Sequence, residues 1–349
     1  MDIGRREFLG KGAAALAGGA LPGCMRFSCE MWHRRSFTHG VVVSAKDLSG
    51  DFDWPRLAYE AGLTTIGTHV GPEDVMPFMQ SRAGERFFEG CERYGIAIEH
   101  ELHAMDYLLP RSMFDREPEL FRMDADGARV RDANCCVTNP RTLEIVAARA
   151  VEVAKACVTT TGRYHFWLSD SAKMCMCPNC RELSGAEQAL LVENAILAAL
   201  RREVEPFAML SHLAYTVTID PPKAVLPDPG IFLGFAPFRR WGGVRKRVPL
   251  VEGGEWLNRL DALLKVFPAA SAQVLEYWLD ESLFCGWKKP LVKIPWDAEK
   301  TRADIAAYAR RGIRHFTTFA VSVGDGYVQD FGADSLGCVK EYGRLLSDR

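Results

Sequence analysis

Three cysteines fall within six residues, Cys175-Met176-Cys177-Pro178-Asn179-Cys180, a few positions after Ser169 and Asp170. A disulfide between Cys175 and Cys177 would be badly strained. Three thiolates converging from one loop, with a fourth ligand from elsewhere, are the usual makeup of a closed structural zinc site. The spacing predicts such a zinc on Cys175, Cys177 and Cys180, with Cys136, Cys135 or Cys285 as the fourth ligand. Disulfides or free thiols are the alternative. An iron–sulfur cluster of the radical type would want a different spacing near a first strand. No organic cofactor is expected.

The second chemical signal is paired carboxylates. Read as strand ends, the chain offers His69, then Glu99, His100, Glu101, His103 and Asp106, then Asp170, then His212, Tyr215 and Asp220, then Glu276, Asp280 and Glu281, and last Asp325. Two carboxylates flanking a glycosidic bond act as acid and as nucleophile or base across an oxocarbenium-like transition state. Many retaining barrel glycosidases carry them on strands four and seven, which here bear Asp170 as general acid and Glu276 as nucleophile or base. Asp280 is the alternative to Glu276. A salt bridge or a helix cap is the plain use of each. His100, Glu101 and His103 are expected to bind substrate hydroxyls or a metal, or simply to line a polar mouth. Ser169 and Tyr215 stand beside substrate in this reading. Trp241, Trp278, Trp287 and Tyr215 are possible flat platforms for a sugar ring. Arg240, in an exposed Phe238-Arg239-Arg240-Trp241 turn, could clamp a uronic acid carboxylate.

These residues need a scaffold that brings strand ends together. Short β-rich runs alternate with amphipathic helical runs. Strands are expected at 40–44, 64–70, 96–103, 164–168, 209–218, 231–235, 273–279 and 315–323. Helices are expected at 54–61, 76–94, 140–157, 187–205, 255–267, 297–311 and 336–346, with Asn139 placed to cap the third and Gly62, Gly95 and Gly312 to stop three others. Eight such alternations predict a (β/α)8 TIM barrel over residues 37–349, with a long irregular insertion at 104–139 and no clear helix between strands five and six. A doubly wound sheet is the competing fold, but no Gly-x-Gly-x-x-Gly turn follows the first strand.

The 349 residues are 48% hydrophobic and 25% charged with a net charge of −2, which suits a soluble globular chain and argues against a nucleic-acid partner. Residues 1–24 differ from the rest. Gly4-Arg5-Arg6-Glu7-Phe8-Leu9 resembles a twin-arginine export signal, followed by an Ala/Gly-rich run. Leu21-Pro22-Gly23-Cys24 resembles a lipobox apart from Pro22, so a lipid anchor at Cys24 is one expectation and an ordinary frayed terminus another. The expected location is periplasmic or cell-surface. The eleven cysteines are an odd number, which fits Cys24 being set apart from the others.

Trp167-Leu168-Ser169-Asp170, the cysteine run, Glu193-Asn194, Cys136-Val137-Thr138-Asn139-Pro140, His212-Leu213-Ala214-Tyr215 and Glu276-Tyr277-Trp278 together resemble the bacterial domain of unknown function 4838 over roughly residues 130–290. The resemblance implies a barrel distantly similar to glycosidases such as α-glucuronidases and β-hexosaminidases. It favours Cys136 as the fourth metal ligand and supplies no substrate. The family usually has Asn before the Asp, and Ser169 replaces it here with shorter reach. The expectation is an exported glycoside hydrolase acting on a poly- or oligosaccharide. The alternatives are a barrel that binds glycans without cleaving them, and a metal-dependent enzyme built on His100, Glu101 and His103.

Overall fold

The structure is a computed structural model and describes residues 37–241 and 247–347. The segment expected to be a twin-arginine signal, the expected lipid site Cys24 and the rest of the first 36 residues lie outside the described residues. No helix among the described residues is long and apolar enough to cross a membrane.

Eight parallel strands close into a barrel in chain order: β1 (Thr38–Ser44), β2 (Thr65–His69), β3 (Ala97–His103), β4 (Arg163–Trp167), β5 (Met209–Ala214), β6 (Ile231–Phe235), β7 (Gln273–Glu276) and β8 (His315–Phe319). The ring closes where Thr38 pairs with His315 and Val42 with Phe319. The helices that bear on the site and the outer ring are α1 (Trp54–Glu60), α2 (Pro72–Met79), α3 (Arg82–Tyr94), α4 (Pro140–Ala156), α5 (Gly185–Glu203), α6 (Glu255–Leu263), the four-residue α7 (Glu281–Phe284), α8 (Ala298–Ala309), α9 (Asp325–Phe331) and α10 (Gly337–Ser347).

The helix boundaries follow local chemistry. Asn139 caps α4, accepting from the Arg141 backbone N–H at 3.0 Å, and Pro140 takes the first turn, where no N–H is needed. Ser184 and Glu187 form a capping box at the start of α5. The single helix expected at 76–94 is two, because Ser81 accepts from Gly84 N–H and restarts the chain as α3. The missing β5–β6 helix is replaced by a loop strapped to α5. Glu187 accepts from the backbone N–H groups of Lys223 and Ala224, and Asn194 holds Leu226 and Asp228.

Strand alternation sorts side chains between the lumen and the helix layer. Arg163 stacks over the Phe232 ring at 3.7 Å and bonds the Gln273 side chain at 3.1 Å. Gln273 in turn bonds Glu101 and Thr317, each at 3.0 Å. His165 meets Glu99 at 3.1 Å. The lower lumen is therefore a buried polar network. One layer above it stand His69, His103, Trp167, Leu213, Leu275 and Phe319, at or near the C-terminal ends of their strands.

Candidate active site

That upper layer floors a cavity of about 610 Å³ at the C-terminal mouth of the barrel, where barrels of this type carry their chemistry. His69 and His103 each direct Nδ1 at a backbone carbonyl, Glu101 O at 2.5 Å and Leu168 O at 2.8 Å. A carbonyl only accepts, so each ring carries its proton on Nδ1 and keeps an unprotonated Nε2. Burial, and for His69 the neighbouring His103 as well, lowers both pKa values, that of His69 to about 3, so both rings are neutral at neutral pH.

The walls come from the loops after β4, β5, β6 and β7: Asp170, Tyr215, Phe238, Tyr277, Asp280 and Trp287. Asp170 is exposed, on the loop just past β4. Tyr215 hydrogen-bonds to it, and burial together with that nearby charge keeps the phenol protonated. Asp280 is 5% exposed and begins α7, where Oδ1 accepts from Ser282 Oγ at 2.6 Å and from Leu283 N–H at 3.3 Å. Burial raises its pKa to about 6 despite those hydrogen bonds. Trp287 is 64% exposed at the rim.

Backbone strain gathers at this end of the molecule. Among the described residues, the non-glycine residues with positive φ are Thr216 (42°), Trp287 (57°) and Ser322 (66°). They lie in the loops after β5, β7 and β8. Such conformations cost about 1–3 kcal/mol each and persist where the surroundings impose them, commonly at binding sites.

Several expected site residues lie elsewhere. Glu276 is fully buried and faces away from the lumen. It accepts from Arg240 Nε at 3.0 Å, Trp241 Nε1 at 3.0 Å and Tyr308 Oη at 2.5 Å. Leu275 and Tyr277 point to the cavity, so the residue between them must point out toward α8. This corrects the choice of Glu276 as the second carboxylate and leaves Asp280. Arg240 is not exposed either. It is 0% accessible, ion-paired with Glu276 and with Asp304 of α8, and cannot clamp a substrate carboxylate. Trp241 is buried beside it, at a different cavity. His100 points out of the barrel, between Thr68 Oγ1 at 2.7 Å and Val158 O at 3.2 Å.

Glu101 lies in the polar layer beneath the floor, where burial, with Glu99 adding to it, raises its pKa to about 7. Thus His100 points outward while Glu101 and His103 face the lumen at different levels, and the three do not share an ion. Glu99, Glu101 and His165 do approach one another within 4.8 Å, but below the floor and sealed from the cavity. Burial would raise Glu99, yet the His165 hydrogen bond and the nearby charges of His165 and Arg163 outweigh it and hold its pKa near 2. Ser169 lines a small neighbouring hollow, and its backbone N–H donates to Asn134 Oδ1 at 2.9 Å.

Sequence reasoning passed over Tyr277, Phe238 and Phe319 as cavity walls and Asn134 as a support. The period-2 relation puts Tyr277 on one face with Gln273 and Leu275, but the sequence does not say which face of β7 meets the lumen. Nothing local marks Asn134, which acts across 35 residues of chain.

The cysteines converge. The Sγ atoms of Cys136, Cys175, Cys177 and Cys180 all lie within 4.8 Å of one another, with Cys136 3.8 Å from Cys177 and 4.0 Å from Cys180. Cys135 points elsewhere and bridges to Phe121 through its backbone, while Cys285 sits against Ser282 O.

Comparison with known proteins agrees with the architecture. ZgEngAGH5_4, solved in complex with a cellotriose, superposes with a TM-score of 0.51 at 9% identity, over 89% of this chain and 96% of that one. A tri-modular GH5 (subfamily 4) endo-β-1,4-glucanase from Bacillus licheniformis, complexed with cellotetraose, gives 0.50 at 10% identity, over 91% of this chain and 61% of that one. At such identities the likeness is one of fold: a closed barrel of the kind glycosidases use. No curated protein matches the sequence. The family model covers residues 76–252, starting well before the expected stretch and ending short of β7. The chain belongs to the family described as Domain of unknown function (DUF4838).

Proposed function

We propose that the mouth cavity binds a carbohydrate and hydrolyses a glycosidic bond, with Asp280 as general acid and Asp170 as base or nucleophile. The observation that carries this reading is a pair of carboxylates in contrasting surroundings on one aromatic-walled cavity. Asp280 is desolvated and raised to about 6, so up to about pH 6 it holds a proton to give to a leaving oxygen; Asp170 is exposed to solvent. The roles are therefore the reverse of those expected for strands four and seven. Trp287, Phe238 and Tyr277 offer flat faces to sugar rings. The neutral Nε2 atoms of His69 and His103 accept hydrogen bonds from sugar hydroxyls. No lysine or arginine lines the cavity among the described residues, which suits a neutral sugar better than a uronic acid.

The test is turnover on a panel of neutral aryl glycosides and oligosaccharides, with Asp280→Asn and Asp170→Asn alongside. Each substitution should lower kcat by about 10²-fold or more while leaving the fold intact. A wild-type rate retained by either variant removes that residue from the mechanism. Ser169 favours a second reading, glycan binding without cleavage, because it leaves no carboxamide next to Asp170. That reading expects sugar binding unchanged in Asp170→Asn and no turnover of any panel member by the wild type.

A further inference from the structure

We propose that Cys136, Cys175, Cys177 and Cys180 hold one zinc ion, and that this ion clasps the 104–139 insertion to the β4–α5 loop so as to position Asp170. Sulfurs about 2.3 Å from a shared tetrahedral ion lie about 3.8 Å apart. Two of the pairs, Cys136 with Cys177 and with Cys180, are at 3.8 and 4.0 Å, and all lie within 4.8 Å. A disulfide would bring two sulfurs to about 2.05 Å, and the four cysteines are free. They come from two segments, one from the end of the insertion and three from the loop, so an ion held by all four adds a tie to the hydrogen bonds that run between the two.

The surroundings complete the set. Four thiolates around a divalent ion carry a double negative charge, which calls for donors. Met123 N–H points at Cys175 Sγ from 3.3 Å, Arg129 Nη1 from 3.9 Å, and Thr138 Oγ1 lies 3.2 Å from Cys180 Sγ. Gln188 of α5 fixes the backbone of the turn. Its Oε1 accepts from Cys175 N–H at 3.0 Å, and its Nε2 donates to Cys175 O and Cys180 O, both at 3.1 Å. All four cysteines are buried, with no opening for a substrate, so the ion is structural.

The mechanical consequence runs through Asn134, two residues before Cys136. Its Oδ1 accepts from the Ser169 N–H at 2.9 Å, and its Nδ2 donates to Lys173 O at 2.9 Å. The backbone on both sides of Asp170 is thereby held by a residue whose own place is set by the clasp.

The first measurement is the metal content of the full chain purified without added metal. One zinc per chain is expected. Absence of zinc, or recovery of the four cysteines as two disulfides by mass, overturns the assignment. Replacing the ion with Co²⁺ in the wild-type chain should give the visible spectrum of a tetrahedral tetrathiolate site; an octahedral spectrum overturns it. This reading does not depend on Cys177→Ser, which should lose the metal but can also fail to fold. Limited proteolysis tests the clasp. After zinc removal, cutting should rise within residues 120–139 and 169–183 while the strands stay protected. Unchanged protection of both segments would refute the positioning role. None of these readouts uses glycoside turnover, so their failure and that of the hydrolase reading are separable.

Discussion

Two buried acids, Asp280 and Glu101, have pKa values raised by burial to about 6 and about 7, and their positions give those protons different consequences. Asp280 meets the cavity, so its ionisation shows in the rate. An acid that must be protonated loses activity as pH rises through its pKa, and kcat/KM should fall above about pH 6. A pH–rate profile checks this, and a rate flat from pH 5 to 8 would exclude Asp280 as the acid. Glu101 is sealed beneath the floor, so its ionisation shows in stability. Its folded pKa of about 7 lies above the 4.5 of an ordinary glutamate. The folded state therefore binds the proton more tightly, and stability is greatest below pH 4.5 and is lost as pH climbs to 7. The loss amounts to about 3 kcal/mol. Glu101→Gln keeps an acceptor for Gln273 and removes the charge. Its Tm should exceed that of the parent at pH 8 and match it at pH 4, by thermal melts; equal melting at both pH values would sink the argument.

At the scale of elements, β7 decides which acidic residue does what. It ends at Glu276, three residues short of the run expected from sequence. The chain then turns, and Asp280 becomes the cap of α7. Glu276→Ala should cost about 3–5 kcal/mol, because Arg240 and Tyr308 lose a buried partner. Asp280→Asn should change stability far less. Denaturant titration of the two variants separates structural from catalytic carboxylate, and equal stabilities would contradict the assignment. This is also where the sequence stopped being legible. The order of the strands could be read from apolar runs broken by glycines and caps. The facing of β7 could not, because both sides of a parallel barrel strand are buried and polarity does not alternate along it. Arg240 was misread for a related reason. A charged turn looks solvated until its partner, Asp304, arrives from a helix 64 residues away. The cysteine cluster was readable because three of its members are local, and its fourth stands in the turn before α4.

Over the whole molecule, the helix ring must close as well as the sheet. Tyr342 of α10 donates to Gly40 O of β1 at 3.0 Å, and Gly343 lies against the backbone of Ala61, where an added Cβ would stand 1.8 Å from the Ala61 oxygen. Gly343→Ala should push α10 off α1 and cost about 2 kcal/mol or more. A thermal melt showing no loss would mean that the two helices adapt more freely than this contact suggests. The same closure has a meaning in time. β1 finds its second partner only when His315 has been made, 277 residues after Thr38. At about 5–20 residues per second, that is a wait on the order of tens of seconds. Throughout it, the nascent sheet presents an unpaired edge and an uncovered aromatic lumen, the kind of surface that other chains and chaperones meet first.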